Sequence, residues 1–378
     1  MDEKQDRFTG KSSGITLKER WKRLEGWQKK KLCFWFFLFL ITGTVYLGIT
    51  NYKLFADKSA EEAYWQQGLR DNEELAEKAQ SFADQATVVT AGAYVENLRE
   101  INIKANNFRV VLICWFRWEG DPELNMADHF RIYNGVINKK EMLEDYHKDG
   151  EHYQQLRIDA TVQKNYWIVR FPLESYQLRF YLEPNDSVER VLIFADTENS
   201  TVNPYMSISG FEYKRSAVST YTMEYESTLG KPRTSIPIVQ ELCVSMEINR
   251  SGFGLYVKCF IALLGTITWV FITLFLCTYH RVDPLTMIPA ALFGTVTNIM
   301  VGANLLPDAL QVGLLEYVTI GGILVILSCA LSVVNINRIR NKHQNQEFAY
   351  LFGRTMFFLL LFLTVLGAVL YPLCSYMF

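Results

Sequence analysis

From Phe253 to Phe378 the chain carries only six Lys/Arg and four Asp/Glu. Soluble globular domains are about a quarter charged, so a stretch this long and this apolar does not belong in water. A hydrocarbon core about 30 Å thick takes roughly 20 apolar residues per helix. Four runs here meet that length: Phe253–Tyr279, Met287–Leu306, Val312–Val334 and Leu351–Phe378. A fifth, Leu32–Thr50, lies near the start of the chain and holds no charge. The run at 287–306, with Gly294, Thr295, Thr297, Asn298 and Gly302, has the composition of a helix that faces protein or water rather than lipid.

The remaining charge is unevenly spread. Residues 1–31 hold ten Lys/Arg against five Asp/Glu, and residues 32–252 hold 22 against 31, so the net charge of −2 over 378 residues is a cancellation. This pattern excludes a soluble enzyme, a disordered chain and a basic nucleic-acid binder. It leaves a membrane protein with one water-facing domain. Lys and Arg collect before the first span (KERWKRLEGWQKKK), after the second (Arg281) and after the fourth (Arg338, Arg340, Lys342), whereas 304–311 has none. The positive-inside rule then predicts five spans in the cell (inner or plasma) membrane, the N-terminus cytoplasmic, residues 51–252 outside and the C-terminus outside. The 31 residues ahead of the first span, with no small-residue cleavage pattern after it, favour an uncleaved anchor over a signal peptide.

The water-facing part divides in two. Ser59–Asp84 reads as a helical stalk, with Ser59 and Glu62 spaced as a capping box and Trp65, Leu69, Ala76, Ala79 and Phe82 as a sparse apolar stripe. From Thr87 to Asn249 the period becomes two. Runs such as FRVVLICWFRW, YQLRFYLEP and IVQELCVSMEI alternate between turn signals at Glu119-Gly120-Asp121-Pro122, Lys148-Asp149-Gly150 and Pro184-Asn185-Asp186. At least eight such strands predict an antiparallel sandwich. Cys114 and Cys243, each within a strand, are expected as buried thiols rather than a disulfide framework. The fold class expected is therefore membrane α+β: an extracytoplasmic antiparallel β-sandwich followed by four transmembrane helices and preceded by one N-terminal anchor. The parts are a cytoplasmic basic segment (1–31), the anchor (32–50), the stalk (51–86), the sandwich (87–252) and the helices (253–378).

Over Thr87–Phe378 the order of these parts resembles the pentameric ligand-gated ion channels, in their prokaryotic form without a disulfide-closed loop. FRVVLICWFRWEG, with Trp118, is similar to the family's second strand, and Tyr133-Asn134 in FRIYNG to its first agonist-site loop. Phe171-Pro172-Leu173-Glu174, followed by YQLRFYL, resembles its Phe-Pro turn and the strand after it, and Arg250 stands where it keeps a pre-membrane arginine. Asn298 and Asn304-Leu305-Leu306-Pro307 resemble the end of the pore helix and the loop beyond, and FGRTMFFLLLFLTVLGAVLYPL the lipid-facing last helix. The chain departs from the family at Glu174 and Tyr176, where Asp and Gln are usual, and at Val257, where a proline is usual. It also has a longer 221–236 segment and the extra N-terminal span.

The resemblance implies a homopentamer that conducts inorganic ions across the bilayer through a pore lined by the helix at 285–306, with no cofactor and no metal ligand set. Its register puts Leu285, Pro289, Leu292, Val296 and Ile299 on the pore face, with Thr286, Ala290, Gly294 and Thr297 as the competing face. Pro289 reads as a mid-helix proline, which tends to kink and would either widen the cytoplasmic half or mark a non-conducting helix. Asp283 would form a ring at the cytoplasmic mouth that favours cations, or would merely cap the helix. Phe171, Pro172, Glu174, Arg250 and Pro307 are implied coupling residues, a Glu174–Arg250 ion pair being either coupling or structural. Tyr133, Glu183, Asp186, Tyr221 and Tyr225 are the implied ligand residues, for a small ligand, a metal ion or a proton. His129, His147 and His152 read as scattered surface residues. The chain has no H-E-x-x-H, Walker A or G-x-S-x-G motif and no zinc spacing of Cys and His, so no enzyme is expected. The alternative is a non-conducting membrane receptor or scaffold of the same fold.

Overall fold

A computed structural model describes residues 21, 24–230, 236–306 and 312–377, except the side chains of 292, 301, 303 and 377. Two compact units emerge. The first comprises the described residues of Met1–Asn51, Ile261–Asn298 and Val318–Tyr371; the second those of Tyr52–Phe260, Ile299–Tyr317 and Pro372–Phe378.

The helices are α1 (Gly26–Gln67), α2 (Glu73–Gln80), α3 (Gly254–Phe275), α4 (Ile288–Leu305), α5 (Leu314–Lys342) and α6 (Gln346–Pro372). Among the described residues four of them, α1, α3, α5 and α6, are long and apolar enough to cross a membrane, and α4 is a shorter apolar helix. The chain is a membrane protein on this count. In the first unit Phe39 of α1, Leu274 of α3, Ile326 and Val333 of α5, and Phe352 and Met356 of α6 form one buried cluster.

The second unit is sandwich-like. One sheet has the order β4 (Gly135–Lys148), β5 (Glu151–Gln163), β2 (Asn107–Glu119), β1 (Thr87–Asn102), β7 (Val191–Ala195), with β8 (Thr201–Val202) also on β1. The other has β3 (Phe130–Ile132), β6 (Ser175–Pro184), β10 (Ile238–Arg250), β9 (Phe211–Glu224). Alternation places Val89, Ala91, Ala93 and Val95 of β1, Leu112, Cys114 and Phe116 of β2, and Leu178 and Phe180 of β6 in the core. Asp149 and Gly150 both take positive φ, 52° and 85°, as a two-residue hairpin between β4 and β5 requires. Cys114 and Cys243 are buried free thiols, and burial pushes Cys114 up to about 12.

Three expectations change. The sandwich is not wholly antiparallel, because β7 and β8 run parallel to β1. No helix begins at Ser59: α1 continues unbroken to Gln67, and the Ser59 hydroxyl donates to the Ala56 carbonyl at 2.9 Å. The cap forms later, where Asn72 accepts from the N–H of Leu75 with Glu73 and Glu74 in the first turn, favourable against the helix dipole. Pro289 is not a mid-helix residue. A 3-10 turn at Leu285–Met287 precedes it and it sits in the first turn of α4, where its missing N–H has no partner to lose.

Within the second unit the end of α1 is fastened to the sheet β3-β6-β10-β9. Arg215 donates to both carboxylate oxygens of Glu62 (3.1 and 2.6 Å) and to buried Glu247 (2.5 Å), which also pairs with Lys214 at 2.7 Å. The Arg215 guanidinium lies 4.5 Å over the Trp65 ring. Gln177 donates to the Glu61 carbonyl and Arg179 to that of Tyr64.

Candidate functional site

The first site is a carboxylate cluster on the sheet β3-β6-β10-β9. Arg131 on β3 pairs with Glu183 on β6 and donates to its Oε1 at 2.9 Å, and the Tyr225 hydroxyl just past β9 donates to the same oxygen at 2.5 Å. Arg131 also reaches that hydroxyl at 2.7 Å. Glu241 on β10 lies within hydrogen-bonding reach of Glu183, as the β6–β10 register (Leu182 opposite Leu242) predicts. Glu183 is 2% exposed and Glu241 1%.

Two buried like charges in contact are costly. Glu183 Oε2 and Glu241 Oε1 both lack a donor, a deficit that one proton held between the carboxyls removes. Burial, and then the neighbouring Glu183 charge, push the Glu241 carboxyl up to about 8. Burial and the bond to Glu183 raise the Tyr225 phenol as well. The pair thus holds one proton at neutral pH, with Arg131 neutralising the remaining charge.

Glu183, Asp186 and Tyr225 line one cavity of about 140 Å³ together with Arg131 and Asn185. Tyr133 and Tyr221 do not line it. The Tyr133 N–H donates to the Tyr181 carbonyl and its ring is exposed, while the Tyr221 ring packs 5.7 Å from that of Tyr181. Asp186 is ion-paired with Arg190 at 3.3 Å. Arg131 and Glu241 escaped the reading of the sequence. A carboxylate in the mostly apolar run IVQELCVSMEI was the available signal for Glu241.

His147 and His152 are not scattered. They pair across β4 and β5, with their Nδ1 atoms 3.2 Å apart and His152 stacked on Trp118.

The second site is the turn between β5 and β6. Phe171, Pro172 and Glu174 are all buried there. Glu174 Oε1 accepts from Arg250 Nε at 3.2 Å and from the Tyr176 hydroxyl at 2.5 Å, and the Arg250 guanidinium lies 4.1 Å over the Phe211 ring. The same turn touches the start of α5, where Leu314 donates its N–H to the Val169 carbonyl at 2.7 Å. An added Cβ at Gly313 would collide with that carbonyl. Pro307 lies outside the described residues.

Leu285 in the turn ahead of α4, and Pro289, Val296 and Ile299 on it, are exposed, whereas Ala291, Thr295 and Asn298 are buried. Of the competing face, Gly294 is half-buried and Thr286, Ala290 and Thr297 are exposed. Asn298 donates to Thr319 at 2.7 Å. The Leu292 side chain lies outside the described residues. Asp283 accepts from the Leu285 N–H at 3.3 Å and from Asn337 at 2.7 Å, so it caps the turn that opens α4.

No protein-family model matches the chain, and no curated protein matches it.

Proposed function

We propose that the chain is the subunit of a pentameric ion channel of the ligand-gated type, in which α4 lines a five-fold pore and the sandwich gates it. The observation that carries the reading is the β5–β6 turn. Within one compact unit it is bonded both to Arg250, ahead of α3, and to Leu314, after α4, so a shift of the sheet is transmitted to both ends of the α3–α4 segment. The exposed stripe Val296 and Ile299, with Phe293 and Met300 beside it, gives α4 an uncovered apolar face of the kind that a symmetric ring would close and that gates by dewetting.

In this reading the N-terminus is cytoplasmic and the sandwich extracytoplasmic, and the agonist, a proton or a cation, acts at the Glu183–Glu241 pair and its cavity. Asp283 is partly spent on capping, so cation preference rests on the acidic outer domain, through a field that salt screens. The test is the full chain in liposomes loaded with a fluorescent thallium reporter. Flux above that of empty liposomes is expected; a tight, well-folded preparation with no flux at any pH favours the non-conducting receptor instead.

A further inference from the structure

A cavity of about 200 Å³ lies between the 57–64 stretch of α1, the β5–β6 turn and the start of β6. Its apolar wall comes from the rings of Tyr64, Trp167 and Tyr176. Its polar groups are unequal. Asp57 accepts from Trp167 Nε1 and from Arg170 Nε, the latter at 2.8 Å, and Glu61 is ion-paired with Lys58 at 2.5 Å and lies 3.5 Å from Arg170. The two acids are therefore neutralised.

Lys164 is not. Among the described residues no carboxylate stands within ion-pairing distance of its ammonium, and the charge that acts on it is a second cation, the Arg179 guanidinium. Arg179 in turn keeps a buried Nε without a partner. A half-buried ammonium beside a guanidinium is an unfavourable arrangement, and an anion in the cavity would relieve it. Burial and the Arg179 charge lower the Lys164 pKa to about 8, which still leaves it mainly protonated at pH 7.

We propose that this cavity binds a small organic anion with an aromatic or apolar body, its carboxylate on Lys164 and its body against Tyr64, Trp167 and Tyr176. The site owes one wall to α1, which lies outside the stretch that resembles a channel. Binding here does not depend on whether the protein conducts. An anionic lipid headgroup offers the same charge, but the three rings match the flat body of an aromatic carboxylate.

The experiment is calorimetric titration of the purified full chain, in a non-ionic detergent at pH 7, with sodium benzoate, benzyl alcohol and benzylammonium. Benzoate is expected to saturate one site per chain and the other two not to bind. Lys164→Met should weaken benzoate by about tenfold or more, the worth of roughly 1.4 kcal/mol, while Lys164→Arg retains most of it. Should Lys164→Met fail to fold, Trp167→Leu keeps the charge and removes a wall, and a severalfold loss is expected. Repeating the titration in nanodiscs of phosphatidylcholine, with and without phosphatidylglycerol, should give the same affinity. No saturable benzoate binding, equal binding by benzyl alcohol, an undiminished Lys164→Met or an undiminished Trp167→Leu would each overturn the proposal. Competition by phosphatidylglycerol would overturn the free-carboxylate assignment in favour of a lipid headgroup.

Discussion

Leu314 gives its backbone N–H to the carbonyl of Val169 at 2.7 Å, and Gly313 beside it leaves no room for a side chain. The start of α5 is therefore held to the β5–β6 turn by a main-chain bond that a Cβ would break. Gly313→Ala should overpack this contact at a cost of about 1–3 kcal/mol and lower the unfolding temperature of the full chain. In the proposed channel it should also shift the agonist response to higher concentration or lower pH. An unchanged melting curve would mean that the turn and α5 separate without cost.

Glu174 is almost fully buried against Arg250. Removing one member of a buried ion pair leaves the other uncompensated, at a cost of about 3–5 kcal/mol. Glu174→Ala and Arg250→Ala should each destabilise strongly, and the Tyr176 phenol would lose its acceptor in the first case. The double charge swap, Glu174→Arg with Arg250→Glu, should recover part of the loss. If the doubly swapped chain is no more stable than either single change, the two groups do not act on one another directly.

The carboxyl pair predicts a pH dependence of definite sign. Glu241 titrates near 4.5 when unfolded and is raised to about 8 in the fold, so the folded state binds the extra proton between those values. Its stabilising contribution is fully present below pH 4.5 and is lost as pH rises through 8, at a slope of up to about 1.4 kcal/mol per pH unit. Thermal unfolding of wild type and Glu241→Gln across that window checks it. The variant should show a flatter profile and gain relative to wild type above pH 8, whereas parallel profiles would place the proton elsewhere.

Arg131 is half exposed while Glu183 beneath it is not. Arg131→Ala should therefore act on its partner, raising the proton affinity of the Glu183–Glu241 pair. The midpoint of any pH response should move to higher pH, and Arg131→Lys should restore most of it. A midpoint that stays in place in Arg131→Ala would show that the guanidinium does not set the charge of the pair.

The apolar runs and the alternation of β1, β2 and β6 were legible because burial imposes a period that local sequence carries. The end of α1 was legible in part. Trp65 of the apolar stripe is buried, but the arginines that bond the polar groups of this stretch, Arg170, Arg179 and Arg215, lie far along the chain, where no local pattern points to them. Glu241 was missed for the same reason. Both faces of β10 are buried, which erases alternation, and only the register with β6 brings Glu241 to Glu183. The apolar run made Pro289 look like a mid-helix residue, whereas the start of α4 is set by the turn at Leu285–Met287 and not by hydropathy.

Conduction is tested most directly by unitary current from the purified full chain in a planar bilayer. Discrete steps that appear as pH falls through the titration of the carboxyl pair, with a conductance that Val296→Asn alters, are the predicted result. A bilayer with verified incorporation that stays silent across the same pH range, for wild type and Val296→Asn alike, would contradict it.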